Sequence, residues 1–137
     1  MPPLVKVTWD GDVRFTADIR GHKVPVDQPR QGGGADSAPG PLELLPASLG
    51  TCVAFFVKQF LAARGVDPTG LEVEVGVMGA PNPHRIGRFE VRVVLPGGVP
   101  DKYRDQVARV AETCTVHHTL MHRPEIVVEV TEGVATA

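Results

Sequence analysis

Apolar and polar residues alternate along the first third of the chain, and a period of two marks a half-buried strand. Val5–Trp9 and Val13–Ile19 follow it, with Asp10-Gly11-Asp12 between them. An Asp-Gly turn between alternating runs signals a hairpin. The Arg20-Gly21 turn introduces a third short strand, His22–Val26. Trp9 and Phe15 are expected to face a core, the usual fate of strand aromatics. From Gln28 to Gly40 the periodicity stops. That stretch, QPRQGGGADSAPG, is a loop long enough to be read as an active-site flap.

A helical period takes over between Pro41 and Arg64. Leu45, Leu49, Cys52, Val53, Phe56, Phe60 and Leu61 recur at three- and four-residue spacings, which predicts one buried face on a long central helix. Pro41 suits its first turn and Gly65 its left-handed end, whereas Pro46 would kink the first turns or delay the start. Leu71–Met78 and Ile86–Leu95 alternate again around Ala80-Pro81-Asn82-Pro83, a second hairpin with long arms. Pro100–Glu112 is amphipathic, with Tyr103, Val107, Val110 and Ala111 as its stripe. A shorter helix, Thr113–Met121, follows a break near Cys114. Glu125–Val130 reads as a closing strand and Glu132–Ala137 as a frayed tail. This order predicts an α+β layer fold, with residues 1–137 forming one domain.

Composition narrows the function. With 42% hydrophobic and 22% charged residues the chain has the balance of a folded globular protein. A net charge of −2, with basic residues scattered, gives no electrostatic footprint for nucleic acid or an anionic membrane. The N-terminal MPPLVKVTWD lacks the basic-then-apolar order of a signal peptide. The apolar run Leu49–Ala63 is interrupted by Lys58 and Gln59 and is shorter than the roughly 20 residues of a membrane span. The expectation is a cytoplasmic protein without nucleic-acid or membrane partners.

Two cysteines are too few for a secreted disulfide framework. In a reducing compartment such a pair is buried and inert, metal-binding, or redox-active. Cys52 lies on the apolar stripe, where burial alone raises a thiol's pKa and silences it unless a positive group or donor stabilises the thiolate. Cys114 lies in ETCTVHHTL, where one helix ends and the next begins, and helix N-termini lower thiol pKa. Cys52, Cys114 and His117 would supply three zinc ligands, but no Cys-x-x-Cys or His-x-x-x-His motif accompanies them, so no metal is expected. His117 or His118 is expected to pack or hydrogen-bond near the second cysteine, and His22, His84 and His122 to be solvated.

The segment GGGADSAPGPLELLPASLGTC resembles the first signature of the OsmC/Ohr family, osmotically inducible protein C and organic hydroperoxide resistance protein. There a Gly-rich loop leads through a Pro-x-Glu-Leu-Leu run into a long helix carrying the first cysteine. CTVHHTL is similar to the second signature, Cys-Pro-Val-His-x-Thr-Leu, with Thr115 in place of proline. The resemblance covers nearly the whole chain. It implies antiparallel sheets packed on a long central helix, in an intertwined homodimer with active sites at the subunit interface. It also implies that Cys52 attacks the O–O bond of an organic hydroperoxide, releasing an alcohol and becoming a sulfenic acid. Cys114 then resolves that acid into a disulfide, which an external dithiol, lipoyl-bearing or thioredoxin-like, reduces. No metal or organic cofactor is implied. Leu49, Val53, Phe56 and Phe60 would line an apolar pocket suited to alkyl or fatty-acid hydroperoxides.

Two activating residues complete the family's site. Arg20 best matches an arginine that stabilises the thiolate and polarises the peroxide, with Lys23 a weaker candidate. Hydroperoxide reductases of the family hold that arginine with a glutamate ten positions before the cysteine, which here is Leu42; the nearest acid is Glu43. On a straight helix Glu43 falls about half a turn from Cys52, so a kink at Pro46 would be needed to bring it round. The alternative reading is the same fold with little peroxidase activity, serving as a redox sensor or apolar-ligand binder. A purely structural dimerisation module would leave both thiols unreactive.

Overall fold

The computed structural model describes residues 3–133, so 134–137 of the expected frayed tail lie outside the described residues. The first layer is an antiparallel sheet of β1 (Val5–Gly11), β2 (Arg14–Ile19) and β3 (His22–Val26), ordered β1-β2-β3. Its register pairs Val5 with Ile19, Val7 with Ala17 and Trp9 with Phe15, then Ala17 with Val24 and Phe15 with Val26. Directly paired residues share a face, so these apolar side chains form one side; Lys6, Thr8, Asp18 and Lys23 form the other. The expectation that Trp9 and Phe15 face a core is corrected here: Trp9 is 64% exposed and Phe15 39%. The amphipathic pattern is real, but among the described residues nothing covers its apolar side.

Strand β3 runs into Asp27, which is buried and fastens the loop that follows. Its carboxylate accepts hydrogen bonds from the Ser37 hydroxyl (2.5 Å), the Ser37 N–H (3.0 Å) and the Gln28 N–H (2.8 Å). Those donors, the Ser37 hydroxyl foremost, hold the carboxyl down at about 2. The Asp27 N–H donates to the Pro39 carbonyl at 3.1 Å, closing the loop's two ends on one another. At Gly34 the chain passes so close that a Cβ would lie 2.0 Å from the Gln28 carbonyl oxygen. The segment expected as a flap is thus a pinned loop, with a short 3-10 turn at Arg30–Gly32.

Helix α1 (Pro41–Ala62) starts at Pro41, whose missing N–H costs nothing in a first turn, and continues through Pro46. Glu43 caps it by accepting the Gly40 N–H at 2.9 Å. Gly65, at φ 69°, ends it in the left-handed conformation, with the Val66 N–H returning to the Leu61 carbonyl at 2.9 Å. Its 22 residues are long and apolar enough, by length and composition, to cross a membrane, a longer stretch than the Leu49–Ala63 run read from the sequence. Here it packs as a core helix, burying Leu49, Gly50, Val53, Val57 and Leu61. That stripe is rotated from the expected one, and Leu45 is left 39% exposed. A helix apolar on most sides does not declare by spacing which face goes in. Gly50 decides it, because a Cβ there would already lie 3.0 Å from Val75 Cγ2, so the backbone sits tight on the sheet.

That sheet is the hairpin β4 (Glu72–Ala80) and β5 (Arg85–Val94). Its register puts Val73, Val75, Val77, Phe89, Val91 and Val93 on one face. The other face carries charges, with Arg92 bonded to Glu74 (3.4 Å) and Arg88 to Glu90 (3.0 Å). A 3-10 turn (Asp101–Tyr103) leads into α2 (Arg104–Ala111), and α3 (Thr115–Met121) follows. The core where these meet α1 is Leu49, Val53, Val57, Leu61, Val107 and Cys114. Each large aliphatic fully buried there contributes about 2 kcal/mol relative to exposure.

The expected closing strand is a second correction. Glu125–Val130 forms no strand; Ile126, Val127 and Val128 are each 81% exposed and Val130 is 90%. A strand exists only in a ladder with a neighbour, and among the described residues none pairs with this segment. The accessible surface of the chain, 10597 Å², accordingly exceeds the roughly 6,900 Å² that folded monomers of this mass expose.

Candidate functional site

The fold brings the two cysteines together. Cys52, half-buried, sits at the edge of the buried stripe of α1 and packs against the core. Cys114 is the N-cap of α3, with extended backbone (φ −65°, ψ 146°) and no exposed surface. Its Sγ accepts the His117 N–H at 3.2 Å, and Cys52 packs against the core cluster to which Cys114 belongs. Both are free thiols. Burial pushes the Cys114 thiol up; the His117 and Val116 amides pull it the other way, and the neighbouring Cys52 pushes it up again. Cys114 is therefore kept protonated near neutral pH. A reachable sulfur packed in one cluster with an unreachable one is an arrangement in which oxidation enters at Cys52 and Cys114 can close on it.

The expected apolar lining divides. Leu49 and Val53 are core residues, 3% and 2% exposed. Phe56 is half-buried and meets Phe55 edge to face at 5.4 Å. Phe60 lies about 12 Å along the helix from Cys52. There it packs edge to face on Tyr103 at 5.8 Å, under the Arg64 guanidinium at 3.6 Å, so it belongs to the contact of α1 with the start of α2. Phe55 is the residue that the sequence reading missed. It is 57% exposed and one helical turn from Cys52, and that spacing from the cysteine was the signal that could have found it.

The activating groups are not brought to the thiols within one chain. Arg20 and Gly21 form the tight β2–β3 turn, at φ 53° and 93°, at one end of the open sheet. Among the described residues no acid pairs with Arg20. Lys23 is taken up by an ion pair with Asp18. Glu43 is spent on the Gly40 cap and lines, with Ala47, Gly50 and Val75, a hollow of about 540 Å³ between α1 and β4. That is the side of the helix away from Cys52, and Pro46 does not turn it back.

His117 lies beside the pair. Its Nδ1 is 2.6 Å from the Glu112 carbonyl oxygen, and its ring lines a cavity of about 960 Å³ together with Leu49, Val53, Phe89 and Val107. Among the described residues no group of three or more His, Cys, Asp or Glu is placed to hold a metal ion.

Comparison with known proteins gives a consistent picture. The family model described as OsmC-like protein matches residues 33–129. A search of curated proteins returned no match. Among solved structures, the fold is similar to a Psychrobacter arcticus protein named for osmotic stress induction and a detoxification response. The TM-score is 0.79 and the identity 25%, over 87% of this chain and 88% of that one. An OsmC-like protein of Mycoplasma pneumoniae gives a TM-score of 0.74 at 17% identity, over 87% and 86% of the two chains. An organic hydroperoxide resistance protein of Elizabethkingia anophelis, solved with thiocyanate bound, gives 0.67 at 16% identity, over 90% and 91%.

Proposed function

The chain belongs to the OsmC-like family, and from that membership we propose that it is a thiol-dependent peroxidase reducing organic hydroperoxides to alcohols. The observation that carries this reading is the half-buried Cys52 packed against the core cluster that holds the fully buried Cys114. In the proposed cycle the Cys52 thiolate attacks the distal peroxide oxygen. The O–O bond breaks, the alkoxide takes a proton and leaves as the alcohol, and Cys52 becomes a sulfenic acid. Cys114 sulfur then attacks Cys52 sulfur, its proton leaving with the hydroxyl as water, and a disulfide forms. An external dithiol, lipoyl-bearing or thioredoxin-like, restores both thiols by exchange and is itself oxidised to a disulfide. A reducing compartment such as the cytoplasm suits this cycle. No metal or organic cofactor enters it.

The working form in this proposal is an intertwined homodimer. Three apolar surfaces support it: the open side of the β1–β3 sheet, the outward side of α1 with Leu45 and Phe55, and the unpaired Ile126–Val130. The excess of exposed area, roughly 3,700 Å² per chain, suits an obligate interface. The partner would also supply what a single chain leaves out, the Arg20 guanidinium beside the thiolate. Glu43 remains a candidate to hold that arginine only across the interface. Phe55 and Phe56 would then flank the alkyl group of the peroxide, with Leu49 and Val53 behind them.

The deciding experiment is titration of the reduced protein with cumene hydroperoxide, following free thiols and dithiol-supported turnover. Rapid loss of both thiols into an intramolecular disulfide is the expected result. Cys52→Ser should abolish turnover, and Cys114→Ser should stop after one event with a trappable sulfenic acid. The second reading, a redox sensor or apolar-ligand binder, is favoured by Leu42 standing where the reductases carry their acid and by the capped Glu43. Slow, unselective oxidation at millimolar peroxide would decide for it.

A further inference from the structure

We propose that His117 is a positioning residue for disulfide closure, clamping the joint between α2 and α3 so that Cys114 stays aimed at Cys52. This rests on the reading of the two cysteines as a redox pair. The joint is short, only Glu112, Thr113 and Cys114 separating the two helices. Cys114 at its end must do two things at once. Its sulfur accepts the amide of His117 at 3.2 Å, and it must stay turned toward Cys52, which packs against the same core cluster. A helix of seven residues holds its first turn weakly without help.

The help comes from the His117 side chain. Its Nδ1 lies 2.6 Å from the Glu112 carbonyl, and a carbonyl only accepts, so Nδ1 carries the proton and donates. The bond leaves the first turn of α3 and ends on the carbonyl of Glu112, the residue that caps the C-terminus of α2, spanning the cysteine. One residue thus acts on Cys114 from both ends: its backbone amide points at the sulfur, and its side chain stops the turn that carries the amide from swinging away. In the closure step negative charge gathers on Cys114 sulfur as its proton leaves, and the His117 amide is already aimed at it. His117 also lines the 960 Å³ cavity, so a replacement must match position as well as polarity.

Asparagine and glutamine separate these two demands. The Asn amide nitrogen occupies roughly the place of histidine Nδ1, whereas the Gln amide nitrogen falls near that of Nε2. The assay uses oxidised dithiothreitol rather than peroxide. The Cys52 thiolate forms a mixed disulfide with it, then Cys114 sulfur displaces dithiothreitol, which leaves as the dithiol while the Cys114 proton passes to buffer. His117→Gln should slow this closure about five-fold, the loss of one hydrogen bond, while His117→Asn closes near the wild-type rate. Alkylation of Cys52 in a Cys114→Ser background should be the same in all three proteins. Equal closure rates for the Asn and Gln variants would overturn the proposal, as would a wild type that forms no intramolecular disulfide. A wild type that closes its disulfide here but turns over no hydroperoxide would retire the peroxidase reading and leave this one standing.

Discussion

The hairpin β4–β5 and the sheet β1–β3 are built from the same alternation, yet they meet opposite fates. The first lays Val73 and Val75 against α1, where Gly50 lets the backbone approach, and its outer face is laced with ion pairs. The second presents Val5, Val7 and Trp9 on one side and leaves them in water. What separates the two is a partner within the same chain. Apolar periodicity says that a face must be covered, and it is silent about which molecule supplies the cover. The pinned loop from Asp27 to Gly40 is the seam between the self-sufficient region and the incomplete one.

The comparison can be broken most directly at Trp9. If a second copy covers that sheet, Trp9→Glu puts a charge at the centre of the interface and weakens self-association by about 30-fold or more, read by sedimentation over a dilution series. A variant that remains as associated as the wild type would mean that the sheet is covered otherwise. In the self-sufficient region, Leu61→Ala should cost about 3 kcal/mol in denaturant unfolding with association unchanged. At the seam, Gly34→Ala forces a Cβ into the Gln28 carbonyl and should cost about 2 kcal/mol.

The seam also carries a pH signature. Asp27 titrates at about 2 in the folded chain, below its unfolded value of roughly 3.9. Its contribution to stability is therefore complete above the unfolded value and is lost as pH falls from near 4 through 2. Asp27→Asn should flatten that part of a stability-against-pH curve, and a curve unchanged by the substitution would mean that the clamp does not hold the loop. The smallest effect is expected at Arg64, stacked over Phe60 on a solvated rim; Arg64→Ala should cost under about 1 kcal/mol.

Much of this was legible in the residues, and the omissions have a common cause. His22–Val26 and the left-handed Gly65 came from local chemistry, which the chain obeys wherever it is. The meeting of Cys52 and Cys114 was implied by the resemblance of the two motifs, not by their spacing. Apart from the flap, which the Asp27 clamp pins, the misread features concern what lies opposite an apolar face. Trp9 and Phe15 were assigned a core that the chain does not build around them. The stripe of α1 was set by Gly50, a residue invisible to an apolar count. Glu125–Val130 has the pattern of a strand without a ladder to join. For Glu43 the helical period pointed away from Cys52, and the structure follows the period.

The zero exposure of Cys114 gives the thiol pair a single doorway. In the proposed cycle the oxidant would arrive at Cys52, and the reductant would meet that same sulfur, with Cys114 as the leaving group. Both proposed half-reactions would then share one approach path, whose shape would select oxidant and reductant alike. Alkylating reagents should report it simply, with one thiol per chain labelled quickly and the other only as the chain opens.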